Sequence, residues 1–219
     1  MSYRTKKWRL KPLLLSLRRR RNRPKLLVGL LVASLVFGFA TLKYESEPAT
    51  IDPAAYRPLL DAIARGESSD NYNAYFGHPD NSTVHFTTMT VAQVLQWQEE
   101  YVRQGHYSSA VGRYQIVRPT LAGLVARLKI DPSARFDAVM QDRMAIALLE
   151  RRGAVQYAEK ELSREQFAAN IAQEWAALPK AVGDKPGESY YAGDGVNQSR
   201  LTIEEVYQAI SQLERYLQG

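Results

Sequence analysis

The chain has 219 residues, of which 45% are hydrophobic and 24% charged, and it contains no cysteine. That composition is globular and excludes wholesale disorder and fibrous repeats. The lack of cysteine excludes disulfide frameworks, cysteine-ligated zinc, iron–sulfur clusters and thiol nucleophiles. The formal net charge of +6 is unevenly spread. Residues 1–25 carry eleven basic side chains and no acidic one. Of the 29 basic and 23 acidic residues in the whole chain, that leaves 18 against 23 for the rest. A basic head thus precedes a mildly acidic body, and no nucleic-acid partner is expected of the body.

Leu26 to Leu42, LLVGLLVASLVFGFATL, is an uncharged apolar run bracketed by Lys25 and Lys43. As a helix it would reach roughly 25 Å, near the lower limit for crossing a bilayer. The positive flank predicts a cytoplasmic N-terminus, with everything after Leu42 exported. Two forms fit: a retained signal anchor, favoured by the long charged segment before the run, and a cleaved signal peptide, allowed by Gly38-Phe39-Ala40. A third reading is a soluble helix buried behind a basic tail. The expected organisation is a basic cytoplasmic segment 1–25, a transmembrane anchor 26–42, a linker 43–52 and a mostly helical domain 53–219. The basic segment would face anionic lipid headgroups, and the expected location is a bacterial inner membrane with the folded domain in the periplasm.

In the body, Asp52-Pro53 is a helix start, and Tyr56, Leu60 and Ile63 form an apolar face. Residues 68–82 are turn-rich. Val84 and Phe86 alternate with polar neighbours and predict a short strand. Thr90 caps a helix bearing Val91, Val94, Leu95, Tyr101 and Val102, and another begins near Pro119. A helix from about Asp137 runs toward Gly153, placed as a C-cap. Ser163-Arg164-Glu165-Gln166 is a capping box leading to Phe167, Ile171, Trp175 and Leu178 at helical spacing. After a Gly/Pro-rich loop at 179–200, Thr202-Ile203-Glu204-Glu205 is a second box leading to Val206, Ile210, Leu213 and Leu217.

The most informative ionisable residue is Glu67. Stepping from Tyr56 through Leu60 and Ile63 brings Glu67 onto the apolar face at the helix's C-terminal end. Apolar surroundings and the negative end of the helix dipole both disfavour its ionised form, as a general acid near neutral pH requires. Asp70, Asn71 and Tyr72 follow in a loop whose chemistry suits sugars: a flat aromatic face and amide or carboxylate partners for hydroxyls. His78, His85 and His106 lack metal-ligand spacing, and there is no phosphate-binding glycine loop or nucleophile elbow, so neither metal nor cofactor is expected.

Glu67-Ser68-Ser69-Asp70-Asn71, Gly112-Arg113-Tyr114-Gln115, Gln141-Asp142, Arg152-Gly153-Ala154, Trp175-Ala176-Ala177-Leu178-Pro179 and Ser189-Tyr190-Tyr191 occur in an order that resembles the lambda-phage-type endolysins, the lytic transglycosylases of glycoside hydrolase family 104. The resemblance covers about 55–200. It implies a lysozyme-like, mostly α domain with a minor β element and a cleft for peptidoglycan glycan strands. It also implies Glu67 as catalytic acid, with Asp70, Asn71, Tyr72, Tyr114, Gln115 and Tyr190 binding substrate. Trp175 reads equally as core. The implied reaction cleaves the β-1,4 bond between N-acetylmuramic acid and N-acetylglucosamine and leaves 1,6-anhydro ends. The alternatives are a hydrolytic muramidase of the same fold and a glycan-binding assembly protein that has lost catalysis.

Overall fold

The computed structural model describes residues 51–218. Leu26–Leu42 and the basic head lie outside them. Among the described residues no helix is long and apolar enough to cross a membrane.

The Asp52 carboxylate accepts from the Ala54 N–H at 2.8 Å and starts a 3-10 turn, Pro53–Tyr56. This turn runs directly into α1 (Arg57–Ser68). Tyr56, Leu59, Leu60 and Ile63 are buried, as their spacing predicts. Most of the apolar face of α1 is covered by the last helix, α7 (Ile203–Gln218), which contributes Val206, Ala209, Ile210 and Leu213. Glu205 and Thr202 form the predicted capping box at its start: the Thr202 N–H reaches Glu205 at 2.8 Å, and the Glu205 N–H reaches the Thr202 hydroxyl at 3.2 Å.

Between these two helices lie α2 (Val91–Arg103), α3 (Arg118–Arg127), α4 (Ala138–Arg151), the short α5 (Ala154–Ala158) and α6 (Arg164–Ala172). Thr90 with Gln93, Asp137, and Ser163 with Gln166 cap α2, α4 and α6 through side chains. Gly153, with φ of 102°, joins α4 to α5, where a left-handed residue ends one helix and starts the next.

Two expectations are corrected. Val84 and Phe86 do not form a strand: Phe86–Thr88 is a 3-10 turn. The backbone groups a ladder would use are taken locally. Asn81 accepts from the Val84 N–H and donates to its carbonyl, and Asn73 accepts from the Thr87 N–H. Among the described residues β structure is confined to isolated bridges, such as Tyr75 with Val111 and Val111 with Ile116. The minor β element of the expected fold is therefore reduced to single pairings.

The second correction is that α6 stops at Ala172, although Trp175 and Leu178 are buried where the helical spacing puts apolar residues. Pro179 disfavours helical backbone at Leu178. Upstream, the carbonyl of Gln173 accepts from the Tyr191 hydroxyl at 2.7 Å and from Arg152 at 3.1 Å. The Ala177 N–H that a continuing helix would give to that carbonyl goes to Glu67 instead. Trp175 reaches the core from a turn.

The segment Gly112–Gln115 is held against α4 by Gln141. The Gln141 side chain accepts from the Arg113 N–H at 2.9 Å and donates to the carbonyls of Tyr72 and Phe136 at 3.1 and 3.0 Å. Gly112 has φ of 77°, and a Cβ there would lie 2.3 Å from the Gln141 side-chain oxygen. Gly112→Ala combines left-handed strain with this clash and is expected to lower stability by about 2–4 kcal/mol. Thermal or urea unfolding of the two proteins measures it, and an unchanged midpoint would contradict this packing.

Candidate active site

Helix α1 ends immediately after Glu67. Ser69 and Asp70 both take positive φ, 53° and 69°, and the Asp70 N–H returns to the Ala64 carbonyl at 3.2 Å. Ser68 donates to the Arg113 carbonyl at 2.8 Å and so ties the end of α1 to the Gly112–Gln115 segment. On the other side Gly66 lets the chain close in: a Cβ there would sit 2.3 Å from Leu201 and 2.9 Å from Ala177. This close approach lets the Ala177 N–H donate to the Glu67 carboxylate at 2.9 Å.

Glu67 lines a cleft of about 630 Å³. Its walls include Phe76 and Tyr107, Tyr114 and Gln115, Trp175 and Tyr191. Phe76 and Tyr107 pack with tilted rings, centres 5.9 Å apart, and Tyr107 is largely exposed. Burial raises the Glu67 carboxyl from its ordinary 4.5 to about 7; the Ala177 N–H and the charge of Arg200 pull the other way without overcoming it. At neutral pH about half of such groups carry a proton, the poise of an acid that also serves as a base.

The other residues singled out in the sequence divide into two groups. Tyr114 and Gln115 line the cleft with Glu67. Gln115 holds a φ of 45° and donates to the Gly112 carbonyl at 2.9 Å. Asp70, Asn71 and Tyr72 do not line it. Asp70 and Tyr72 belong instead to a frame centred on the buried guanidinium of Arg113. Arg113 donates to Asp70 and Asp61, each at 2.6 Å, and to the Tyr114 hydroxyl at 2.5 Å. Tyr114 and Tyr72 in turn donate to Asp142 at 2.7 and 2.9 Å. Asn71 spends its amide on the loop, donating to the carbonyls of Pro79 and Asn81 and accepting from the Asn73 N–H. Tyr190 is exposed and packs edge-on against Tyr191; Tyr191 lines the cleft and Tyr190 does not.

Sequence reasoning did not single out Tyr191, Arg200 or the Ala177 N–H. Tyr191 was within the quoted Ser189-Tyr190-Tyr191 motif, but two adjacent tyrosines in a loop carry no signal for which one faces inward. A backbone donor has no sequence signature at all. Glu99 is exposed and Glu100 half-buried, and they pair with Arg118 and Arg103. Among the described residues no group of three or more His, Asp or Glu is placed to hold a metal.

A helix-end carboxylic acid that burial holds toward its protonated form, set in a polar and aromatic cleft of a mostly helical domain, has the chemistry a general acid needs. The particular family follows from the sequence as a whole. A family model described as Endolysin matches residues 57–196, well over half of the chain, and the chain belongs to the endolysin family. It is thereby an endolysin-type, lysozyme-like protein, a peptidoglycan-cleaving enzyme. No curated protein and no solved structure matches it.

Two outcomes are expected of the site residues. The folded protein holds the Glu67 proton up to about pH 7, whereas the unfolded chain releases it near the ordinary glutamate value. Stability from this group is therefore complete below pH 4.5 and lost as pH rises to 7. Glu67→Gln escapes the loss, so above pH 7 it should exceed the parent in stability by about 3 kcal/mol, with the difference vanishing toward pH 4.5. Thermal unfolding at both ends of that range reads this directly. Arg113→Met leaves Asp61, Asp70 and Asp142 without their shared cation; two of the three are open to solvent, so the expected cost is about 1–3 kcal/mol, again read by unfolding.

Proposed function

We propose that this endolysin-family chain is a lytic transglycosylase in which Glu67 acts alone, first as acid and then as base. The observation that supports this is the lack of a second available carboxylate. Among the described residues lining the cleft the only other acid is Glu174, which is clamped by Arg151 at 2.6 Å and Arg152 at 2.8 Å. Asp70 is held by Arg113 outside the cleft. A hydrolase working through two carboxylates needs a second one at a set distance across the scissile bond.

In this reading Glu67 gives its proton to the oxygen of the β-1,4 bond between N-acetylmuramic acid and N-acetylglucosamine as the C1–O bond breaks. The resulting carboxylate, steadied by the Ala177 N–H and the Arg200 charge, takes the proton of the muramic C6 hydroxyl. The C6 oxygen bonds to C1 and closes the 1,6-anhydro ring, and Glu67 is again protonated. Gln115 and Tyr191 hold the strand along the cleft.

The proposal extends to topology. Residues 26–42 anchor the chain in the bacterial inner membrane, residues 1–25 stay in the cytoplasm against anionic lipid, and the catalytic domain stands in the periplasm beside its substrate. The charge asymmetry of the sequence supports this placement.

Mass spectrometry of the muropeptides released from purified sacculi tests the chemistry. Anhydro ends are the expected product, and reducing ends would replace the transglycosylase reading with a hydrolytic one. Activity should fall as pH rises through about 7, following the Glu67 proton. Glu67→Gln should lower the rate by at least about 10³-fold; undiminished lysis would remove Glu67 from the mechanism.

A further inference from the structure

The charges on the cleft wall do not follow those of the domain around it. Beyond residue 25 the chain is acidic on balance. Yet among the described residues the ionisable side chains that line the cleft, tyrosines apart, are Arg151, Arg152 and Arg200 against Glu67 and Glu174, with no lysine, aspartate or histidine. With Glu67 protonated the wall carries a net charge of about +2, where strand hydroxyls and acetamido groups alone require none.

The arginines are also not used up by their internal partner. Arg151 at the end of α4 and Arg152 just beyond it both converge on one oxygen of Glu174, at 2.6 and 2.8 Å. Glu174 itself is almost fully covered, with 7% of its side chain exposed, whereas 45% of Arg151 remains open. Two guanidiniums on one carboxylate leave one positive charge over, together with outward N–H donors on the more exposed arginine. Arg152 is further fixed by the Gln173 carbonyl, the same oxygen that receives the Tyr191 hydroxyl. Glu174 thus places the arginines and Tyr191 borders them, an arrangement suited to gripping a planar anion.

Resting on the peptidoglycan reading, we infer that Arg151, with Arg152, forms a carboxylate-binding subsite that recognises the acidic groups carried by the muramic residues of the strand. The shared chemistry is a carboxylate, and it has two sources: the stem peptide where it is attached, and the muramic lactyl group where the peptide has been removed. An uncharged N-acetylglucosamine oligomer of equal length offers neither. The subsite would bias the enzyme toward wall glycan over chitin-like chains and fix which sugar lies on which side of Glu67.

The test is calorimetric binding to the full-length Glu67→Gln chain, which prevents turnover. Three probes are compared: an N-acetylglucosamine oligomer, amidase-stripped glycan strands, and strands with intact peptides. The expected result is that at least one carboxylate-bearing probe binds about tenfold or more tightly than the oligomer; which one does so identifies the source. Adding Arg151→Gln, which leaves Arg152 on Glu174, should erase that preference without changing oligomer affinity. Adding Glu174→Gln should enlarge it, a gain that loss of structural support cannot produce. Equal affinity for all three probes, or an Arg151→Gln loss that falls on all of them alike, would overturn the subsite. Lysis of sacculi by the parent protein is measured separately, so failure of the subsite and failure of the peptidoglycan reading are distinguishable.

Discussion

The hydrogen bond from the Ala177 N–H to the Glu67 carboxylate joins the two ends of the domain. Glu67 belongs to the first helix and Ala177 to a turn 110 residues later. For the bond to form, α1 must end at Ser68, residue 66 must lack a side chain, and α6 must stop short of residue 177. Each condition is met by a local feature: two consecutive left-handed residues, Gly66, and the capture of the Gln173 carbonyl by Tyr191 and Arg152. The same bond partly offsets the desolvation that raises the Glu67 carboxyl to about 7. Without this donor the buried carboxylate form would be harder to reach.

Around this bond the molecule separates frame from cleft. The frame is built on Arg113, whose buried guanidinium serves three aspartates and leans over the ring of Tyr72. Its purpose is geometric. By holding Asp61 of α1, Asp70 of the following loop and Asp142 of α4 to one cation, it fixes the angle at which α1 presents Glu67. A buried charge of this kind tolerates no loss of partners, which gives it directional authority that apolar packing alone lacks. The cleft, by contrast, is lined by aromatic rings, Gln115 and a few arginines, among which Tyr107, Tyr191 and Arg151 stay open to a ligand.

Much of the framework was legible from local pattern. The capping residues Asp52, Thr90, Asp137, Ser163 and Thr202 act where the sequence places them, because a cap is satisfied within three residues and needs no distant partner. The apolar face of α1 and the position of Glu67 at its end follow from period alone. The strand expected at Val84 and Phe86 failed because alternation records which side chains face inward and not where the backbone bonds go; Asn81 and Asn73 took those groups first. Extending the helical face of α6 to Trp175 and Leu178 failed for a related reason. Burial at helical spacing persisted, but the backbone donor that would have continued the helix was taken by Glu67.

The sequence by itself determined the helical segments, their caps, the family and the carboxylic acid at the end of the first helix, all features set by neighbours within a turn or two or by ordered motifs. Only the tertiary structure decided which polar residues line the cleft around Glu67. Asp70, Asn71 and Tyr72 have the right chemistry for sugar but are spent on Arg113, Asp142 and their own loop. Tyr191, Arg151 and Arg200 occupy the wall instead. A side chain's composition states which bonds it is able to make. Which of them it does make depends on partners brought from tens of residues away, and those are assigned only when the chain has closed on itself.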